Sequence, residues 1–193
     1  VISSKDDYSQ LQELLNRGNY TTEEERKVLS ANAFKVSSHY DTLIQNYMAG
    51  GSIKPLRYGE NPHQAATYHG NLNEVFEQLH GKELSYNNLL DIDATLNYLK
   101  EFDEQCMAVV KHNNACGLAL DDNQLSAWNK ALAGDPVSAF GGISGLNRKL
   151  NAETAAEINK LFFEVIIATD YDAEALEILK SKKNRVILTL KHF

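Results

Sequence analysis

The chain has 193 residues, enough for one substantial core or for a domain with a smaller piece attached. Its hydrophobic fraction of 43% and charged fraction of 23% are those of a globular protein, which excludes a disordered or fibrous chain. A net charge of -7 disfavours nonspecific nucleic-acid binding, and no apolar run approaches the roughly 20 residues that cross a bilayer, although one locally basic pocket could still take a small anion.

The N-terminal VISSKDDYSQ has neither a basic start nor an apolar stretch, so it does not read as a signal peptide. Residues 4–50 read as helices. Ser4 or Asp6 caps a first helix carrying Tyr8, Leu11, Leu14 and Leu15, with Gly18 near its end. Thr21 or Thr22 caps a second, with Glu24 and Glu25 early in it and Val28, Leu29 and Ala33 at helical spacing. The segment from Ser38 to Met48 continues helically. Gly50, Gly51 and Ser52 break the pattern, and Pro55 and Pro62 then bracket LRYGEN, which marks a module boundary.

Beyond residue 63 the pattern alternates. Ala66, Tyr68 and His69 read as a strand, and Leu72–Leu79 as a short helix or turn. Leu89–Phe102 reads as an amphipathic helix, Met107–Val110 as a wholly apolar strand and Leu125–Ala133 as a helix. Gly141–Leu146 reads as a strand, Ala152–Leu161 as a helix and Val165–Ala168 as an apolar strand. Ala173–Ser181 follows as a helix and Val186–Leu190 as a strand. Short buried strands alternating with helices predict an α/β fold, a mixed sheet covered by helices and preceded by a short helical segment. The chain starts without Met and finishes on the strand-like RVILTLKHF, so a fragment of a longer protein is expected.

Candidate chemistry falls at strand ends, where loops converge on a rigid sheet. The strand AVV delivers Lys111 and His112 into an Asn-rich loop closed by Gly117, and histidine is the side chain suited to moving protons near neutral pH. The bland alternative is a solvated lysine and a structural histidine. In Leu56–His63, Arg57 offers a planar fork for phosphate beside Tyr58, and Gly59 permits close backbone approach; a stiffened linker explains the segment equally well. Gly134–Gly142 is a backbone-exposed loop of small residues that could cradle an anion or a polar ring, or simply turn before a strand. It lacks the spacing of a phosphate loop or dinucleotide fingerprint. Ser85–Asp91 reads as helix-start chemistry with Asn88 as a cap. Glu164, entering VIIA, could accept hydrogen bonds from a sugar or be an edge carboxylate. Cys106 and Cys116 form no CxxC and read as reduced thiols. His39, His69, His80 and His192 have no metal-ligand spacing, and His112 with Cys116 is too little for zinc.

In this order LRYGENPHQ, LSYNNLLDIDA, AVVKHNNACG, ALAGDPVSAFGG and FFEVIIATDYDAEALEIL resemble the transformylase domain of the bifunctional AICAR transformylase / IMP cyclohydrolase family of purine biosynthesis. The match runs from about 53 to 190. Residues 1–52, with AFKVSSHYDTLIQNYM, resemble the closing helices of the cyclohydrolase domain and its linker, and 53–193 the first transformylase lobe, with a cytidine-deaminase-like fold that lacks the zinc. The resemblance implies formyl transfer from 10-formyltetrahydrofolate, a cosubstrate, to the 5-amino group of AICAR. It implies that His112 is the base and Lys111 its electrostatic partner. Arg57, Tyr58, Gly141 and Glu164 fall on the AICAR side, with Glu164 where the family more often has Asp. It further implies a cytoplasmic homodimer that needs no metal, with folate contacts outside this chain. One departure is Ala115, where the family usually has proline, so a slightly different loop is expected. A non-catalytic nucleotide-binding module is the alternative. A zinc deaminase fails because neither HxE nor PCxxC is present.

Overall fold

The computed structural model describes residues 1–18, 20–48 and 53–192. Gly50, Gly51 and Ser52, read above as a break, lie outside the described residues. The chain divides into two compact units, Val1–Ile53 and Lys54–Phe193.

In the first unit a 3-10 turn, Lys5–Asp7, leads into α1 (Tyr8–Asn16). Ser4 caps the turn, and the Asp7 carboxylate closes the box by accepting from the Ser3 and Ser4 amides. Its second oxygen accepts from Asn32 at 2.8 Å, which ties the turn to α2 (Glu23–Met48). Thr22 and Glu25 cap α2 reciprocally, each side chain bonding the other's amide. The helix begun at Thr22 and its helical continuation from Ser38 to Met48 are one 26-residue helix. Nothing between Val28 and Tyr47 is a breaker, so the periodicity simply continues.

In the second unit β1 (Ile53–Pro55) and β2 (Thr67–His69) form a two-stranded sheet. Leu72–Leu79 resolves into a 3-10 turn, Leu72–Glu74, and β3 (Phe76–His80). Then come α3 (Tyr86–Leu99), β4 (Cys106–Lys111), β5 (Asn114–Leu120) and α4 (Gln124–Gly134). They are followed by β6 (Ile143–Leu150), α5 (Ala152–Ile158), β7 (Val165–Tyr171), α6 (Ala173–Lys180) and β8 (Val186–Leu190). The six-stranded sheet has the order β3-β8-β7-β6-β4-β5. β6, β7 and β8 are parallel and joined through α5 and α6, and the remaining pairs are antiparallel. The expected α/β fold with a mixed, helix-covered sheet is therefore found.

The alternation of strand side chains divides the core. Ile166 and Ala168 of β7 point to one face, packed with Trp128 of α4, Ile158 of α5 and Leu179 of α6. Val165 and Ile167 point to the other, where Ile92 of α3 covers them. Leu99 extends that layer over Cys106, Ala108 and Val110. β6 runs four residues beyond its apolar stretch, still paired with β7 through Lys149 and Leu150, and its Asn147, 4% exposed, satisfies backbone groups before and at the start of β4. Its amide donates to Phe102 O and Glu104 O, and its oxygen accepts from the Cys106 amide.

Candidate functional site

Strand register fixes what meets at one end of the sheet. Val110, Ile143, Val165 and Val186 are paired across β4, β6, β7 and β8. One residue further out stand Lys111, Gly142, Glu164 and Arg185. The backbone ties Gly142, Glu164 and Val186 together: Glu164 N donates to Gly142 O at 3.0 Å, and Val186 N to Glu164 O at 2.9 Å. This edge is the carboxyl end of β4 and the amino end of the three parallel strands, opposite to the usual carboxyl-end location of ligands in parallel sheets. The antiparallel insertion of β4 makes that possible.

The Asn-rich loop expected after Lys111 is instead a two-residue hairpin turn. β4 and β5 pair up to Lys111–Asn114, leaving only His112 and Asn113 between them. Both have positive φ, 52° and 62°, the arrangement of a type I′ turn. The sequence hid it because His-Asn stands where Asn-Gly is the familiar signal. For residues other than glycine, each left-handed position costs on the order of 1–3 kcal/mol. Local hydrogen bonds offset that. The two Asp91 carboxylate oxygens accept from the His112 amide at 3.2 Å and the Asn113 amide at 2.7 Å, and the Asn114 side chain donates to His112 O at 2.7 Å. The His112 imidazole is exposed and bonds no side chain among the described residues. Ala115 lies within β5, and the ladder shifts register between Val109 and Val110 opposite it.

Lys111 Nζ donates to Phe140 O at 2.7 Å, which leaves two further N–H donors on the ammonium. Phe140 and Phe162 are both exposed, with ring centroids 5.1 Å apart. Gly141 between these elements has φ 77°, a conformation that favours glycine, and donates its amide to Phe162 O at 2.8 Å. Any ligand contact at Gly141 is therefore left to its carbonyl or Cα. A hollow of about 350 Å³ opens over Lys111, His112, Cys116, Asp135 and Ser138.

Glu164 belongs to a second cluster. Its Oε2 lies 3.0 Å from Lys82 Nζ and accepts from Asn88 Nδ2 at 3.2 Å. Burial alone would raise its pKa, but bonds from Lys82 and Asn88, with the charges of Lys82 and Arg57, outweigh it and hold the carboxyl below its ordinary value of 4.5. Of the two readings, sugar acceptor or edge carboxylate, the structure gives an ion-paired carboxylate beside a cavity of about 530 Å³. That cavity is lined also by Phe162, Lys182, Lys183 and Arg185, and its size falls within the roughly 300–1,000 Å³ typical of small-molecule sites. Arg57 stacks on the Tyr58 ring, 4.5 Å from its centroid, and donates to the Tyr58 hydroxyl at 3.0 Å. Backbone bonds from Arg57 N to Leu84 O and Tyr86 N to Tyr58 O fasten the pair to the start of α3.

The predicted residues therefore lie in two clusters along one edge, Lys111–His112–Gly141 and Arg57–Tyr58–Glu164. No hydrogen bond joins His112 directly to Glu164 or Arg57 among the described residues. Sequence reasoning missed Lys82, and it gave Asn88 and Asp91 to helix capping. Ser85 is the cap of α3, and Asn88 closes the box from its third position. Asn88 also touches Glu164, while Asp91, one turn on and on the same face, holds the His112 turn. That i, i+3 spacing was the available signal. No group of three or more His, Cys, Asp or Glu able to hold a metal occurs among the described residues, and no described helix is long and apolar enough to cross a membrane.

Comparison with known proteins agrees with the motif order. A family model described as AICARFT/IMPCHase bienzyme matches residues 1–193. A bifunctional purine biosynthesis protein PurH from Bacteroides thetaiotaomicron is 50% identical over 202 residues, covering 99% of this chain and 40% of the relative. Its namesake from Thermoanaerobacter sp. is 44% identical over 210 residues, covering 99% and 41%. That from Halalkalibacterium halodurans is 43% identical over 210 residues, covering 98% and 41%. The chain thus spans about 40% of the length of the curated relatives it matches. With its whole length matched by the family model, and its motifs gathered at one sheet edge, the chain belongs to the AICARFT/IMPCHase bienzyme family of purine biosynthesis.

Proposed function

We propose that this chain contributes the AICAR-binding and proton-transferring half of a formyltransferase site. In this reading the full-length protein moves a formyl group from 10-formyltetrahydrofolate to the 5-amino group of AICAR, giving FAICAR. Residues 1–52 are the end of the cyclohydrolase domain and its linker, and 53–193 the first transformylase lobe. The observation that carries the reading is the row of Lys111, Gly142 and Glu164 at one sheet edge, with His112 just beyond it on a fixed turn.

The amine of AICAR is a weak nucleophile because its lone pair is delocalised into the ring. His112 takes its proton as the new C–N bond forms to the formyl carbon. The C–N10 bond of the folate then breaks, and N10 leaves with a proton. Lys111, anchored by Phe140 O, uses its remaining donors to stabilise negative charge developing on the formyl oxygen. Arg57, Tyr58, Gly141 and Glu164 hold the nucleotide. No step needs a metal. The remaining nucleotide and folate contacts belong to the rest of the protein, which acts as a cytoplasmic homodimer.

The test is His112→Ala in the full-length protein, with formyl transfer followed by folate absorbance. A loss of about 10²–10⁴-fold in kcat with unchanged circular dichroism is expected for removal of a general base. Undiminished turnover overturns the role of His112.

A further inference from the structure

We propose that Asp91 is a positioning residue for His112, acting through the backbone of the turn. The proposal rests on the reading of His112 as the base. The turn places two successive non-glycine residues in the left-handed region, with φ of 52° and 62°. Neither residue favours that conformation strongly enough to hold it without help. Both of its amides point at one carboxylate, with Asp91 Oδ2 accepting from His112 and Oδ1 from Asn113. A bidentate, charge-assisted clamp of this kind fixes the orientation of the peptide as well as its position. The Cα–Cβ bond of His112 issues from that clamped peptide. Where the imidazole sits is therefore decided by a residue that touches neither the imidazole nor, in this reading, the substrate.

Two further observations support the assignment. Asp91 sits on α3, whose Asn88 donates to Glu164. One rigid helix end thus fixes both the base and the carboxylate on the nucleotide side, which sets their relative position. Tyr98, further along α3, lies with its hydroxyl 3.5 Å from Asn113 O, so the same helix reaches the turn at both ends. No other carboxylate among the described residues accepts from either turn amide.

The experiment uses the full-length protein, with kcat and KM for AICAR measured for D91A, H112A, the D91A/H112A double variant and D91A/N113G. D91A is expected to lower kcat by about 10²-fold, the loss that roughly 1 Å of misplacement produces, with KM within about twofold of wild type. Because Asp91 acts only through His112, the double variant is expected to be no slower than H112A alone. Glycine adopts the left-handed region freely, so N113G is expected to restore about tenfold of the D91A loss. If the alanine variant does not fold, D91N carries the same comparison, since it keeps the shape and one acceptor; about tenfold loss is expected for it. A wild-type kcat in D91A, losses that multiply in the double variant, or no recovery with N113G overturns the proposal. A wild-type rate in H112A overturns the reading of His112 instead, and the two failures are distinguishable because each is read on a separate variant.

Discussion

Glu164 shows how one residue changes meaning between a sequence and a fold. In the sequence it is a carboxylate entering an apolar strand. In the structure it is half-buried and held by Lys82 and Asn88, with Arg57 close enough to act through charge. Its pKa is depressed, so the folded state prefers the ionised form. The contribution is then fully present above the ordinary value of 4.5 and is lost as pH falls through the lowered folded value. Glu164→Gln removes it at neutral pH. The difference in urea midpoint between wild type and E164Q is therefore expected to be largest near neutral pH and to shrink on acidification below 4.5. A constant gap across that range would rule out the ion pair as its source. Lys111 and His112 were legible as residues, since an apolar strand ending in a cation and an imidazole is a local pattern. The partners of Lys111 and Glu164 were not. Phe140 is 29 residues from Lys111, and Asn88 is 76 residues from Glu164.

Among the elements, apolar periodicity located α3, α4, α5, α6, β4, β7 and β8 within a few residues. It failed at two kinds of place. β3 lies in a stretch read as a short helix or turn, and β5 is a strand where a loop was read. β5 carries Asn, Cys and Gly rather than a strand-like alternation, and only pairing with β4 makes it extended. Gly117 was expected to close a loop; in the structure it lets β5 lie against α4. A Cβ added there would fall 1.7 Å from Ala131 O, which is backbone and cannot swing aside. Gly117→Ala is accordingly expected to destabilise the second unit by at least the roughly 1–3 kcal/mol of an overpacked core, read as a lowered urea midpoint. An unchanged midpoint would mean that β5 and α4 separate freely.

For the second unit as a whole, the sheet divides the interior into two layers, and Trp128 is the largest fully buried side chain of the layer under α4, α5 and α6. Trp128→Ala is expected to cost about 3–5 kcal/mol in urea unfolding, as large-to-small changes in a core do. Trp128→Phe should cost less, because it keeps much of the ring and removes an indole N–H that has no partner among the described residues. Equal costs would show that the volume of the ring is not what matters. The amino-acid sequence by itself determined the α/β class, most elements and the motif order that marks the family, because periodicity and turn chemistry are local properties of a chain. Only the tertiary structure decided that β4 runs antiparallel to β6. That reversal brings the end of one strand to the beginnings of three others, and so sets Lys111 beside Gly142 and in one row with Glu164. The turn that presents His112 was likewise decided there, by a carboxylate on α3 about twenty residues earlier that offsets a backbone conformation His-Asn does not favour.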